Sequence, residues 1–69
     1  MSFIALFDSY RSIVTREHTP VEVKVILQQM AAIYPGIEDC PSYKVIMEQD
    51  GFAPEVEYHR MTDWLLNCL

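Results

Sequence analysis

The sequence has only two glycines, Gly36 and Gly51, and they stand far apart. A phosphate-cradling loop needs several glycines within a few residues, because only glycine lets the backbone approach the anion closely. None of the serines or threonines lies in a Gly-x-Ser-x-Gly element, the nucleophile elbow of α/β-hydrolases. The sequence therefore carries neither a nucleotide-binding motif nor a recognisable hydrolase motif.

Cysteine is equally scarce, with Cys40 and Cys68 as the two thiols of the chain. Together with His18 and His59 they are the nitrogen and sulfur groups that a zinc ion prefers. Their spacings include no Cys-x₂-Cys or His-x₃-His element, so we expect no metal and no other cofactor. We expect both cysteines to be free, as they normally are in a reducing compartment.

Basic residues are few: five lysines and arginines stand against ten acidic residues, for a formal net charge of -5. Contacts between cationic side chains and phosphates supply most of the non-specific affinity of proteins for DNA and RNA. The same charges attract proteins to anionic lipid surfaces. Direct binding to nucleic acid or to such a membrane is therefore disfavoured.

Long hydrophobic runs are also missing. No stretch reaches the roughly 18 apolar residues that a membrane-spanning helix requires. The segment Met1–Ile4 lacks the basic flank of a secretion signal. These features predict a soluble, cytoplasmic protein.

What the sequence does contain is clear helix punctuation. Prolines and glycines divide a chain that is 51% hydrophobic into four helix-sized pieces. The pattern predicts an all-α fold, a compact bundle of four helices in one domain spanning residues 1–69. The predicted helices cover about residues 3–16, 20–34, 41–50 and 54–68, and the third is short.

Two local signals support these boundaries. Thr19 and Glu22 have the spacing of a capping box, with Pro20 at the first helical position. Gly51 is placed to end the third helix in a left-handed conformation, with Phe52 touching Met47. If the capping box is misread, the β-branched residues of segment 21–26 favour a strand instead.

One polar group resembles a catalytic constellation. Glu55, His59 and Asp63 follow one another at four-residue steps, so two carboxylates flank an imidazole on one helix face. A histidine held in this way is a candidate general base or metal ligand. No nucleophile or oxyanion site accompanies it, so we expect a solvated helix face and not an enzyme.

Apolar residues outside the main helix stripes give the strongest functional signal. A chain this small buries only about 60% of the surface that its unfolded form exposes. Several hydrophobic side chains that it cannot enclose favour an interface with another protein. The predicted contact patch consists of Val21, Val25, Val56 and Leu66, with Trp64 added if the last helix is only partly covered.

Acidic residues crowd the loops and helix starts of the second half of the chain. We interpret them as a rim that selects a basic partner and speeds its encounter. This predicted rim consists of Glu38, Asp39, Glu48, Asp50, Glu55 and Glu57. The expected function is a non-catalytic interaction module, acting as a small regulator, adaptor or inhibitor of another protein or pairing with itself as a homodimer.

Two alternatives stay open at this point. The second and third helices have the order of a helix-turn-helix DNA-binding regulator, although the third offers a single base, Lys44, beside Glu48 and Asp50. The acidic residues are also compatible with a nucleic-acid mimic that blocks a basic groove, or with acids that only keep the protein soluble.

Overall fold

The computed structural model describes residues 2–15 and 19–68. These residues contain four α-helices and no strand, which confirms the all-α prediction. The helices are α1 (Phe3–Val14), α2 (Pro20–Ile33), α3 (Pro41–Glu48) and α4 (Glu55–Cys68). Each described helix end lies within two residues of the predicted one, and the predicted end of α1 at residue 16 falls outside the described residues.

Helix α1 begins with a side-chain cap. The hydroxyl oxygen of Ser2 accepts a hydrogen bond of 3.1 Å from the amide of Ala5, which satisfies one of the free donors of the first turn. Leu6, Phe7 and Tyr10 recur at helical spacing and are buried. Helix α1 therefore contributes one apolar face to the core.

Helix α2 begins where the sequence predicts, but not for the predicted reason. The side chain of Thr19 makes no capping hydrogen bond, so the predicted capping box is wrong. The backbone of Thr19 is extended, and its carbonyl accepts from the amide of Glu22 at 3.1 Å. Since Pro20 fixes its own φ near the helical value and lacks an N–H, the helix starts here without a side-chain cap.

A 3₁₀ helix, Pro35–Asp39, connects α2 to α3 in the interval between the second and third predicted helices. Its Ile37 is fully buried and adds a core residue between the two helices. The ring of Tyr34 folds back over Gly36, where an added Cβ would lie 2.8 Å from the ring. A side chain at position 36 would therefore require the exposed ring of Tyr34 to shift.

Helix α3 ends differently from the prediction. Neither glycine has a positive φ, so the left-handed ending at Gly51 is wrong. The helix stops at Glu48 because Gln49 is extended. The ammonium group of Lys24 on α2 donates a hydrogen bond to the carbonyl of Gln49, so a contact between two helices fixes this end.

The buried side chains form one hydrophobic cluster. All four helices and both of the last two connections contribute to it. Its members are Leu6, Phe7, Tyr10, Val23, Leu27, Met30, Ala31, Ile37, Cys40, Ile46, Ala53, Met61 and Leu65. Helix α2 packs mainly on α1 and on the 3₁₀ helix, whereas α4 packs mainly on α3, so α2 and α4 lie on different sides of the molecule.

Candidate protein-binding surface

The outward side of α2 is the main apolar surface of the described chain. Val23, Leu27 and Met30 point into the core and are fully buried. The residues on the opposite side of α2 remain exposed, and several of them are apolar as well. This surface, the α2 face, consists of Val21, Val25, Gln28, Gln29, Ala32 and Ile33.

The exposure of the α2 face is substantial. Val21 is 66% exposed, Val25 44% and Ile33 50%. Glu22 is the one charged residue among the exposed positions of α2. The α2 face is therefore close to neutral, although the chain as a whole has a net charge of -5.

A shallow groove lies at the C-terminal end of the α2 face. Leu6 of α1 and Gln29, Ala32 and Ile33 of α2 line it, and it encloses an open volume of about 540 Å³. Leu6 is almost completely buried and forms the floor. The groove is open to solvent, and its lining is mainly apolar.

Two aromatic rings fix the helix ends beside this groove. Phe3 at the start of α1 meets Tyr34 at the end of α2 edge to face, with ring centroids 6.1 Å apart. This contact pairs the first turn of α1 with the last turn of α2, so the two helices run antiparallel. Such a pair adds roughly 0.5–1.5 kcal/mol beyond burial and so stabilises the contact between the two helices.

The structure divides the predicted aliphatic patch. Val56 and Leu66 are exposed on α4, but ten residues of helix separate them by about 15 Å along the axis. The exposed polar residues His59, Arg60 and Asp63 lie between them. The α4 residues therefore do not form one patch with each other, and α4 is on a different side of the molecule from the α2 face.

Trp64 lies on the inner side of α4. Its ring is partly buried and packs against the core. Its indole N–H is enclosed without a hydrogen-bond partner. Trp64 is therefore mainly a core residue and presents only part of its ring to the surface.

Five of the six residues of the predicted acidic rim are exposed. Glu38, Asp39, Glu48, Asp50 and Glu55 are exposed. Glu57 is only 8% exposed, so its assignment to the rim is wrong. It faces α3, where its carboxylate accepts from the hydroxyl of Ser42 and from the guanidinium of Arg60, each at 3.3 Å.

The candidate catalytic group is open to water. His59 Nε2 lies 3.7 Å from Glu55 Oε1, and both side chains are largely exposed. Within residues 2–15 and 19–68, no three histidine, cysteine or acidic side chains are grouped to hold a metal ion. His18, one of the possible ligands considered from the sequence, lies outside the described residues, while Cys40 is buried and Cys68 exposed as unpaired thiols.

A second cleft, of about 230 Å³, lies between the end of α1 and the start of α4. Arg11, with its guanidinium 5.6 Å from the centre of the Phe7 ring, forms one wall, and His59 forms the other. The hydroxyls of Thr15 and Thr62 line the cleft but donate to backbone carbonyls of their own helices. These hydroxyls are engaged as donors, and neither contacts His59 as an activated nucleophile would.

Two tyrosines have altered acidity. Burial raises the pKa of the Tyr10 phenol strongly, because the charged phenolate would lie in the core. Partial burial, followed by the nearby Glu38 carboxylate, raises the pKa of Tyr43. Both shifts favour the neutral phenol and indicate packing, not a proton-transfer site.

The sequence pattern misses part of the exposed apolar surface. Ile33 and Tyr34 belong by periodicity to the buried stripe of α2, yet half of each remains exposed. They lie in the last turn, where Pro35 turns the chain away and leaves their outer sides uncovered. The proximity of that proline is the one sequence signal for their exposure.

Within residues 2–15 and 19–68, no helix has the length and apolar character needed to cross a membrane. The helix-turn-helix alternative joins α2 and α3 by a turn, whereas in the structure a 3₁₀ helix of five residues lies between them. No protein-family model, no curated protein and no solved structure matches this chain.

Proposed function

We propose that this chain is a non-catalytic interaction module, a small regulator, adaptor or inhibitor that acts in the cytoplasm by binding another protein surface through its α2 face. The observation that carries the proposal is the exposure of Val21, Val25 and Ile33 on a helix side with Glu22 as its one exposed charge. The two unpaired thiols are compatible with the reducing cytoplasm.

The exposed aliphatic side chains of this surface supply part of the binding energy. Full burial of a valine or isoleucine side chain stabilises by roughly 1.5–3 kcal/mol, so each half-exposed one can still contribute on the order of 1 kcal/mol. The groove beside Ala32 and Ile33 adds a recess for a side chain of the partner. A central apolar anchor that fills such a recess dominates the affinity of most protein interfaces.

The exposed acids have a different role in the proposal. Asp50 and Glu55 flank the start of α4, and Glu38 and Asp39 lie in the 3₁₀ helix, so these charges lie outside the α2 face. Exposed charges of this kind contribute little affinity but raise association rates toward a basic partner. They select among partners, whereas the α2 face supplies the binding energy.

A non-catalytic role agrees with the chemistry of the two clefts. His59 and Glu55 face water, and their side chains are largely exposed. The hydroxyls of Thr15 and Thr62 donate to the carbonyls of Arg11 and Tyr58. Direct DNA binding gains no support from α3, whose basic residue Lys44 shares the helix with Glu48.

The test is photo-crosslinking in cells that naturally contain the protein. A photo-reactive amino acid replaces Val25 in one variant and Val56 in a matched control, since these valines have similar exposure on different helices. We expect a discrete protein adduct from position 25 and little or none from position 56. Equal adducts at both positions, or none at position 25, would refute the assignment of the α2 face.

A further inference from the structure

We propose that the α2 face binds a second copy of this chain, forming a closed two-fold dimer in which two α2 helices pack antiparallel. This inference rests on the proposed function and names its partner. It follows from three features of the α2 face: its shape, the spacing of its residues and its charge.

The shape of the α2 face is self-complementary. Val21 projects at the N-terminal end of α2 and is the most exposed large hydrophobic residue described. The groove beside Ala32 lies at the C-terminal end of the same face. Eleven residues of helix place the projecting valine and the groove about 16 Å apart along one axis.

When the α2 helix of a second copy runs antiparallel to the first, Val21 of one copy and the groove of the other come together. In an antiparallel pair, Val21 of each copy meets the groove of the other, so both contacts form at once. Such an isologous arrangement uses the same surface twice and closes without leaving a free binding end. A parallel pair would place Val21 against Val21 and groove against groove.

The spacing of the α2 face suits helix pairing. Val21, Val25, Gln28 and Ala32 follow each other at steps of four, three and four residues. This is the seam of two helices that pack at a small crossing angle. The antiparallel register sets Val25 against Gln28 of the second copy and brings the two Gln28 amides within reach of each other, where each can donate to and accept from the other.

The charge distribution favours a second copy over a basic partner at this face. Two chains of net charge -5 repel each other and can approach only through a surface that carries little charge. Glu22 is the one exposed charge of α2, and the antiparallel arrangement places the two Glu22 residues at opposite ends. A basic partner would contact the acids of the 3₁₀ helix and the region before α4 instead.

The area available predicts a dimer of modest affinity. The chain exposes 4394 Å² in total, and a specific interface of standard size would take about 800 Å² from each copy. One face of a helix of 14 residues supplies less than that. We therefore expect dissociation in the micromolar range, within reach of light scattering.

The first test measures molar mass against concentration for the purified chain of 69 residues. We expect the mass to rise from 8.0 kDa toward twice that value for the wild type and for Val56→Asp. Val25→Asp should remain at the monomer mass. Val21→Asp should do the same while folding well, because an acid in the first turn of a helix is favourable.

A wild-type mass that stays at 8.0 kDa throughout the micromolar range would overturn the proposal. So would equal dimerisation of the Val25→Asp and Val56→Asp variants. Circular dichroism of each variant confirms that the helices persist.

The second test examines the register by disulfide formation, in a Cys68→Ser background that removes the exposed native thiol. A mixture of Val21→Cys and Ala32→Cys chains should give a crosslinked heterodimer under mild oxidation. Val21→Cys alone should crosslink at least tenfold more slowly, since the two positions lie about 16 Å apart along the helices in the antiparallel pair. Faster crosslinking of Val21→Cys with itself would overturn the antiparallel arrangement.

These results separate the inference from the function on which it rests. A monomeric purified chain that still gives a heterologous adduct at position 25 in cells overturns the second copy and leaves the proposed function standing. Dimerisation insensitive to both α2 variants, together with no adduct at position 25, overturns both. A dimer lost in both α2 variants and retained in Val56→Asp supports both.

Discussion

The hydroxyl of Tyr10 in α1 donates a hydrogen bond of 3.0 Å to the backbone carbonyl of Tyr58 in α4. The hydroxyl of Thr62 donates to the same carbonyl at 2.9 Å, and the hydroxyl of Tyr58 accepts from the amide of Ala53 at 3.0 Å. Tyr58 thus joins α1, α4 and the connection before α4. The hydrogen bond between Tyr10 and Tyr58 fixes the position of α4 relative to the antiparallel helices α1 and α2, and α2 carries the α2 face.

Replacing Tyr10 by phenylalanine removes the interhelical hydrogen bond and keeps the ring. We expect the free energy of unfolding to fall by about 1 kcal/mol, the usual net contribution of one hydrogen bond. The midpoint of thermal unfolding should fall by roughly 4–8 °C for a domain of this size. Urea and thermal unfolding followed by circular dichroism measure both quantities.

The control for this substitution is Tyr43→Phe. Tyr43 is only partly buried, and its substitution also removes one hydroxyl from an aromatic ring. We expect a loss of less than about 0.5 kcal/mol, as for most substitutions away from the core. An equal loss in the two variants would contradict the role assigned to the Tyr10–Tyr58 bond.

The buried Tyr10 phenol also predicts alkaline sensitivity. In the unfolded chain a tyrosine ionises near pH 10, whereas burial raises the pKa of Tyr10 in the folded chain. Above about pH 10 the unfolded state therefore binds fewer protons than the folded state, and stability falls as the pH rises. The contribution is fully present below pH 10 and is lost up to the folded pKa, with a slope of at most about 1.4 kcal/mol per pH unit.

Urea unfolding between pH 8 and pH 11 tests this dependence. The wild type should lose stability more steeply above pH 10 than Tyr10→Phe, which lacks the titrating group. Parallel curves for the two proteins would show that another group causes the alkaline loss.

The buried carboxylate of Glu57 should be coupled to Ser42. We expect a double-mutant cycle of Ser42→Ala and Glu57→Met to give a coupling energy of about 1 kcal/mol, since the 3.3 Å bond is long for a charged acceptor. Glu57→Ala should destabilise clearly, because it leaves a cavity and an unpaired hydroxyl. The matched control is Glu55→Ala, whose exposed side chain should cost less than about 1 kcal/mol, the usual contribution of an acid in the first turn of a helix; an equal loss in the two variants would contradict the burial of Glu57.

The two thiols should differ in reactivity. Cys68 is exposed on α4, whereas Cys40 is buried in the core. A chromogenic disulfide reagent should therefore titrate one thiol rapidly in the folded protein and a second one only after unfolding. Rapid reaction of both in the native state would mean that the core around Cys40 opens readily, and Cys68→Ser should remove the fast phase alone.

Much of the helical layout is predictable from the sequence because prolines act locally. Pro20 and Pro41 are the first residues of their helices, and Pro54 directly precedes the first residue of α4. Proline fixes its own φ regardless of its neighbours, so such starts are independent of the rest of the fold. The exposed valines at 21 and 25 are predictable for a similar reason, since helix periodicity alone puts them opposite the core stripe.

The predictions from the sequence are wrong where contacts between helices determine the structure. The end of α3 depends on Lys24 of α2, which no local signal at Gly51 reveals. The burial of Glu57 depends on Ser42 across the α3–α4 contact. Which interface residues lie together depends on which helices pack together. Periodicity shows only that Val25 and Val56 each point away from the buried side of their own helix, so it cannot show that they lie on different surfaces.

The most direct test of the central claim is carbene footprinting of the side chains, in the self-associated protein and in the dissociated protein. We expect association to lower labelling at Val21, Val25 and Ile33, while labelling at Val56 and Leu66 stays the same. Unchanged labelling on α2, or a decrease confined to α4, would contradict the claim that the outward side of α2 is the binding surface.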